Sequence, residues 1–167
     1  MTIPGFVTLS KSSVSGSQNY TTPGTYTFVP PKTVNLITVT VNGAGGGAAY
    51  LQSNYPSYGF SPVDGGPGTD SSFGGSVIGH GGGGGTVVGG PASSGSAGTA
   101  TGGDINTTGG GGAGGPTDGS TGGKGGNGGQ AIKNYSYLTS NVTVIVGTVG
   151  ASGGTQGANG SVLISWT

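Results

Sequence analysis

Residues 109–129 read GGGGAGGPTDGSTGGKGGNGG, a stretch with runs of Gly-Gly-X triplets at 111–116 and 122–130. A three-residue period matches the polyproline II helix, which has about three residues per turn and no internal hydrogen bonds. Two glycine faces per turn let neighbouring helices approach closely, and each backbone N–H and C=O can bond to a neighbour. The sequence therefore predicts a layer of polyglycine II helices. Further glycine segments that could supply neighbours lie at 43–47, 81–85 and 89–90.

Disorder and collagen are two other interpretations of this composition. Glycine and proline together make up 53 of 167 residues, a fraction typical of low-complexity chains when no period is present. The formal net charge is zero, whereas disordered chains tend to carry a high net charge. Collagen needs glycine at every third position, and the spacer at 117–121 shifts that register. The sequence therefore favours an ordered glycine layer.

Charge and cysteine content argue against several classes of function. The chain has four lysines and four aspartates but no arginine or glutamate, so no basic patch is available for nucleic acid. Cysteine is absent, which excludes disulfides and thiolate metal sites. No apolar run approaches the roughly 20 residues that span a membrane, and residues 1–13 do not resemble a signal peptide. We expect no cofactor, no metal, no nucleic-acid partner and no membrane insertion.

Alternating apolar and polar residues predict half-buried strands in three places. They are LITVTVNG at 36–43, NVTVIVG at 141–147 and SVLISWT at 161–167. Because these are the only alternating apolar faces long enough to bury one another, the strands near 37–41, 142–146 and 162–166 should share one framework.

The predicted fold class is mainly β with irregular structure and no α-helix. A small, sandwich-like β-framework, residues 1–42 and 130–167, is expected to enclose a polyglycine II layer. That layer, with inserted loops, spans 43–129. The whole chain, 1–167, is expected to form a single glycine-rich domain.

The frame GTYTFVPPKTVNLITVTVNGAGGGA at 24–48, closed by GGTQGANGSVLISWT at 153–167, resembles the glycine-rich domains of bacteriophage tail-fibre proteins. Those domains have a YTFTVP-like strand, an ITVTVWGAGGGG-like strand, a glycine-rich body and a final NGAVVISW-like strand. The match covers residues 25–167. The alternation of glycine motifs with variable segments is also similar to the distal adhesins of T-even-type phages, in which polyglycine II layers support receptor-binding loops.

This resemblance implies a non-catalytic adhesin in the virion tail fibre, extracellular after host lysis. Its implied partners are a bacterial surface receptor, either an outer-membrane protein or a polysaccharide, and other tail-fibre subunits. A homotrimer is one arrangement that the resemblance suggests.

Catalytic and nucleotide-binding motifs are not expected. G-x-G-x-x-G matches recur in a chain this rich in glycine, but none follows a strand and opens a helix. His80 stands alone in VIGHGGGGG, which favours a polar residue at the turn into the glycine layer over a metal ligand. The aspartates are flanked by Gly, Pro or Thr, as in turns, with a Ca²⁺ site or a carboxylate pair as the alternative. No nucleophile, base and orienting group come together, so the chain is not predicted to be an enzyme.

Aromatic residues cluster in 50–73, a segment otherwise rich in loop formers. The cluster comprises Tyr50, Tyr55, Tyr58, Phe60 and Phe73. Such rings favour a binding loop, because they bury a large area with little loss of side-chain entropy. They could equally cover the edge of the glycine layer. Both roles are possible if Tyr50 or Phe73 faces inward and the other rings face outward. We expect 50–73 to form the receptor surface, with 91–108 as a second loop that contributes Asp104 and Asn106.

Two further function classes compete with the adhesin. A non-adhesive fibre or capsid decoration domain would only extend or trimerise. An ice-binding polyproline II bundle would need one flat, regular threonine face, whereas the threonines here are scattered among irregular loops. An enzyme such as a glycan depolymerase ranks last.

Overall fold

The structure is a computed structural model that describes residues 14–54, 59–87, 92–110, 122–151 and 156–167. Within those ranges the chain forms β-strands and no helix, which confirms the prediction of a mainly β protein. In chain order the strands are β1 (Gly16–Tyr20), β2 (Gly24–Phe28), β3 (Ile37–Asn42), β4 (Tyr50–Asn54), β5 (Gly59–Val63), β6 (Ser71–Phe73), β7 (Val77–Gly79), β8 (Ala100–Thr101), β9 (Ile105–Thr107), β10 (Gln130–Tyr135), β11 (Val142–Val146) and β12 (Ser161–Trp166).

The strands are arranged in two five-stranded sheets and a separate two-stranded hairpin. The first sheet has the order β1-β12-β3-β10-β9, and the second has the order β2-β11-β6-β7-β8. Neighbouring strands pair antiparallel throughout. The two large sheets form a sandwich, since their inward-facing side chains share one hydrophobic core.

Alternation along β3 shows how the sequence builds this core. Ile37, Val39 and Val41 are fully buried, whereas the threonines between them are half-buried. Val39 lies opposite Ile164 of β12, so the predicted pairing of the strands near 37–41 and 162–166 is confirmed. β11 lies in the facing sheet and contributes to the same core. Each large side chain buried here contributes roughly 1.5–3 kcal/mol.

Four strands of the sandwich, β6 to β9, come from within 43–129, the span that the sequence assigned to the glycine layer. β6 completes the second sheet beside β11, where Phe73 lies opposite Val144. These strands are only two or three residues long, too short to show a period of two. The longer strands beside them fix their position, which explains why the sequence pattern did not reveal them.

Glycine-rich segments continue seven of the sandwich strands at one end of the sandwich. In the described part of the chain they are 43–49, 64–69, 80–86, 92–99, 122–129, 147–151 and 156–160, hereafter the glycine segments. The register places their attachment points together, because Asn42 lies opposite both Gln130 and Ser161. We call this the glycine end of the sandwich and the opposite end its base.

Backbone hydrogen bonds between the glycine segments repeat every three residues. The N–H groups of residues 43, 46 and 49 donate to segment 122–129. The N–H groups of residues 44 and 47 donate to a different segment, 64–69. The bonds to 122–129 are Gly43–Gly129 at 2.8 Å, Gly46–Gly126 at 2.9 Å and Ala49–Gly123 at 2.9 Å. The bonds to 64–69 are Ala44–Thr69 at 3.2 Å and Gly47–Gly66 at 2.9 Å. Segment 43–49 is therefore bonded on several sides, and it is buried along its whole length.

The glycine segments also hydrogen-bond across the two layers of the sandwich. Gly82 and Gly85, which extend the second sheet, donate to Ala44 and Gly47, which extend the first, at 2.9 and 3.0 Å. Side chains hold packed sheets about 10 Å apart, too far for backbone bonds between them. Where glycine replaces those side chains, the two layers converge until backbone bonds join them.

Candidate functional site

The hairpin formed by β4 and β5, residues 50–63, is a two-stranded sheet separate from the two sheets of the sandwich. It connects the glycine segments 43–49 and 64–69, which leave the sandwich at the glycine end and run antiparallel to each other. Both ends of the hairpin therefore join the glycine segments at their far end. We call residues 50–63 the distal hairpin.

The glycine segments hold both ends of the distal hairpin in place. On the β4 side, the N–H of Ala49 donates to Gly123 at 2.9 Å. On the β5 side, the N–H of Gly65 donates to Gly85 at 2.9 Å. A carboxylate adds a third tie, because Oδ1 of Asp64 accepts the N–H of Val87 at 2.8 Å. The hairpin is thereby anchored beside the far end of segment 80–86.

The pairing register divides the side chains of the distal hairpin between two faces. Leu51 lies opposite Pro62, and Phe60 falls on the same face because side chains alternate along a strand. Phe60 is 69% exposed, the joint highest value among the large apolar side chains described. Tyr50, opposite Val63, shares the other face, and both are half-buried. The sequence from 50 to 63 contains no charged residue. On the face with Phe60, Pro62 is exposed and Leu51 is half-buried.

The aromatic residues predicted for the receptor surface separate into three groups. Tyr50 and Phe60 lie in the distal hairpin, on opposite faces. Tyr55 and Tyr58 lie outside the described residues. Phe73 lies in the core at 1% exposure, so it must be removed from the candidate receptor surface. Its ring packs against the Phe28 and Tyr135 rings at centroid distances of 6.1 and 5.8 Å.

The structure also places the predicted second loop elsewhere. Asp104 and Asn106 lie at β9, which pairs with β10 at the edge of the sandwich. Asp104 bonds to Nζ of Lys133 at 2.5 Å and to the N–H of Asn134 at 2.8 Å. The Asn106 side chain closes the local turn through bonds of 3.0 Å to both the N–H and the C=O of Gly103. Asp104 therefore links the start of the edge strand β9 to its neighbour β10, and Asn106 closes a local turn. Neither residue is brought together with the distal hairpin.

The ion pair at this edge has a measurable consequence for pH dependence. The hydrogen bond from Lys133 and the N–H of Asn134 lower the pKa of Asp104. The stabilising contribution of the pair is therefore complete above the usual carboxyl pKa of about 3.9 and is lost as the pH falls through the lowered value. We expect Lys133→Met to raise the pKa of Asp104 when its carboxyl carbon is titrated by NMR. An unchanged pKa would mean that the pair does not persist in solution.

Asp70 also binds a backbone N–H group, as Asp64 does. Asp70 accepts the N–H of Gly81 at 2.9 Å and pairs with Nδ1 of His80 at 2.8 Å. His80 follows β7 directly and begins segment 80–86, the position expected for a polar residue entering the glycine region. Among the described residues no three His, Cys, Asp or Glu side chains form a group that could hold a metal ion. The Ca²⁺ alternative thus gains no support from this part of the chain.

An exposed apolar surface at the base was missed by the sequence interpretation. Val29, Leu36 and Tyr137 are 66%, 43% and 69% exposed, and they adjoin the base ends of β2, β3 and β10. A surface hollow of about 320 Å³ opens between Val29 and Leu138. The sequence interpretation assigned Leu36 to a strand and gave Val29 and Tyr137 no role, since no local pattern shows that the three loops lie at one end of the sandwich.

No described helix is long and apolar enough to cross a membrane. No family model, curated protein or solved structure matches this chain.

Proposed function

We propose that this chain is a bacteriophage tail-fibre tip domain that attaches the virion to a receptor on the bacterial surface. One observation carries the proposal: an uncharged hairpin with a 69% exposed phenylalanine stands at the far end of a hydrogen-bonded glycine support. Large exposed apolar surfaces on soluble proteins mark interaction sites. The domain acts by binding alone, as part of the virion, and the receptor is an outer-membrane protein or a surface polysaccharide.

In this proposal the glycine segments are polyglycine II helices packed as one layer. The three-residue repeat of their hydrogen-bond partners supports this, because three residues make one turn of such a helix. A rise of about 3.1 Å per residue gives the seven residues of 43–49 a length of about 20 Å. The layer would thus hold the distal hairpin roughly that far from the sandwich.

A support of this kind suits an adhesin because its stability does not depend on the side chains of the hairpin. The hairpin is anchored by backbone bonds at Ala49 and Gly65 and by the Asp64 carboxylate, all outside 50–63. Substitutions within 50–63 can therefore alter the binding surface at little cost to the fold.

Other tail-fibre subunits are the proposed partners at the base. The base lies opposite the distal hairpin and exposes Val29, Leu36 and Tyr137. A fibre tip needs one end to attach and another to bind, and these two apolar surfaces would serve the two roles. Three copies side by side would leave all distal hairpins facing outward.

A structural fibre or decoration domain is the second candidate, and the same apolar base favours it. Such a domain needs an attachment surface but no exposed ring at the opposite end. The two candidates therefore differ in whether the distal hairpin binds anything.

Attachment of the purified protein to intact cells from a panel of bacterial strains would test the adhesin. We expect wild-type protein to be retained by at least one strain. The triple substitution Tyr55→Ala/Tyr58→Ala/Phe60→Ala should reduce retention at least tenfold, because it removes three of the four aromatic rings in the sequence 50–63. Far-UV circular dichroism and thermal melting would verify that the fold is unchanged.

A matched control is Ile105→Ala, which removes an apolar side chain of 58% exposure from β9. It should bind as wild type does, because β9 lies at the edge of the sandwich. Retention by no strain would contradict the adhesin. Equal retention of the triple variant and wild type would place the binding surface outside the distal hairpin.

A further inference from the structure

The position of Pro62 shows which backbone N–H and C=O groups of the distal hairpin point toward the partner strand and which point away from it. Residue pairs in an antiparallel ladder alternate between those that exchange two N–H···O=C bonds and those that exchange none. Pro62 has no N–H, so its pair with Leu51 is of the second kind. Gln52 with Ser61 is then a hydrogen-bonded pair. It follows that the N–H and C=O of Leu51 point away from β5, toward the open edge of β4.

The open edge of β4 carries a regular set of donors and acceptors. Ser53 lies two residues from Leu51, so its N–H and C=O point the same way, about 6.8 Å further along the strand. On the opposite edge, Phe60 and Pro62 are the outward-facing residues of β5, and Pro62 offers no donor. The hairpin thus has one edge with a complete set of backbone groups and one interrupted by proline.

No strand in the described part of the chain pairs with the outer edge of β4, because the hairpin is a two-stranded sheet of its own. The backbone of Leu51 makes no bond to another described segment. Isolated two-stranded sheets are marginally stable, and an uncovered edge is a template for another strand. No charged side chain in 50–63 blocks such pairing, although charges are a usual means of protecting an edge.

We propose that the edge of β4 binds its receptor by strand addition, taking up an extended, uncharged segment of a surface protein as a third strand. This inference rests on the proposed function and makes the receptor a protein. Backbone bonds to Leu51 and Ser53 give the affinity. Alternate side chains of the added strand lie over the apolar face that contains Leu51, Phe60 and Pro62. A polysaccharide has no ladder of N–H and C=O groups to match this edge.

A second copy of this chain is the competing occupant of the edge. Two β4 strands could pair around a two-fold axis at Gln52. Such a dimer would join two molecules head to head through their distal ends and close both binding edges. The receptor strand is favoured because the exposed base lies at the other end and leaves the distal end free.

A proline substitution tests the backbone edge directly. Leu51→Pro removes the outward N–H but no bond within the hairpin, since edge positions that face solvent tolerate proline. Leu51→Ala is its matched control, because it also loses the leucine side chain but keeps the N–H. On a strain that retains wild type, Leu51→Pro should be retained at least fivefold less than Leu51→Ala. Ser53→Pro, compared with Ser53→Ala, should repeat this difference at an independent position.

Amide hydrogen exchange of the free protein checks the assignment of the edge. The N–H of Gln52 should exchange slowly and those of Leu51 and Ser53 rapidly. The reverse order would overturn the assignment and the inference with it. The same measurement on Leu51→Pro should leave Gln52 protected, which shows that the hairpin persists in the variant.

Treating the cells with protease or with periodate shows whether the receptor is a protein or a glycan. Protease treatment should abolish retention of wild type, whereas periodate oxidation of surface glycans should leave it unchanged. Loss with periodate alone, or equal retention of Leu51→Pro and Leu51→Ala, would overturn strand addition while leaving the adhesin intact. Wild-type dimers that Leu51→Pro converts to monomers would assign the edge to a second copy instead. Retention of wild type by no strain would overturn both proposals.

Discussion

Gly126→Val is expected to prevent folding of the glycine segments, with a loss of stability on the order of 4 kcal/mol or more, which is exceptional for one substitution. A Cβ at position 126 would overlap the carbonyl oxygen of Ser96, well inside the 3.0 Å below which real Cβ atoms essentially never come. The obstacle is backbone and cannot rotate away. Gly126 also donates to Gly83 at 2.8 Å and accepts from Gly46 at 2.9 Å. Moving the segment to relieve the overlap would break these bonds, at about 1–3 kcal/mol for each buried group left unpaired.

Lys124→Val is the matched control for this substitution. Lys124 lies two residues away in the same segment, and its side chain is exposed. Valine there tests the effect of a β-branched residue without the overlap. Thermal and urea unfolding followed by circular dichroism should give a transition near that of wild type for Lys124→Val and no cooperative transition for Gly126→Val. A melting temperature of Gly126→Val within a few degrees of wild type would show that the segments do not pack this closely.

Phe73→Ala is expected to destabilise the protein by about 3–5 kcal/mol. Phe73 is 1% exposed and packs between the Phe28 and Tyr135 rings, so its removal leaves a cavity between the two sheets. It also belongs to β6, whose three residues are held by this side chain, by the pairing with β7 and β11 and by a buried bond from the N–H of Gly147 to the Ser71 hydroxyl. Urea unfolding at equilibrium measures the free-energy difference.

Phe60→Ala provides the comparison with an exposed phenylalanine. Phe60 is 69% exposed, and its loss should change the free energy of unfolding by no more than about 0.5 kcal/mol. The pair of substitutions therefore separates the two roles that the sequence left open for the aromatic cluster. Equal effects of Phe73→Ala and Phe60→Ala on stability would contradict the placement of Phe73 in the core.

Three strands of the sandwich could be predicted from the sequence because their side chains alternate. β3, β11 and β12 each carry apolar residues at every second position, and all three contribute to the core. The distal hairpin could not be predicted in the same way. Its strands contain glycine, proline and several polar residues, and the segment was therefore interpreted as a loop. Only the register, with Leu51 opposite Pro62, defines its two faces.

Contacts between residues distant in sequence were also beyond the reach of pattern reasoning. Asp104 was expected to face a receptor, but Lys133 and Asn134 lie beside it in the fold and bind its carboxylate. Phe73 was grouped with the other rings because it is near them in sequence, whereas pairing with β11 draws it into the core. In both cases the partner strand lies far along the chain, and no local pattern specifies it.

The sequence by itself determined which parts of this protein bury side chains and which parts pack through backbone hydrogen bonds between glycine-rich segments. Segments rich in glycine, among them 43–47, 81–85, 111–116 and 122–130, were expected to lie side by side, and residues 46, 83 and 126 are joined by hydrogen bonds. Segment 111–116 lies outside the described residues. Which segments became neighbours was decided by the tertiary structure alone. Glycine segments present nearly identical backbone surfaces, so any two could pair. The strand order of the two sheets selects the partners, because each glycine segment leaves the sandwich at the position that its own strand occupies.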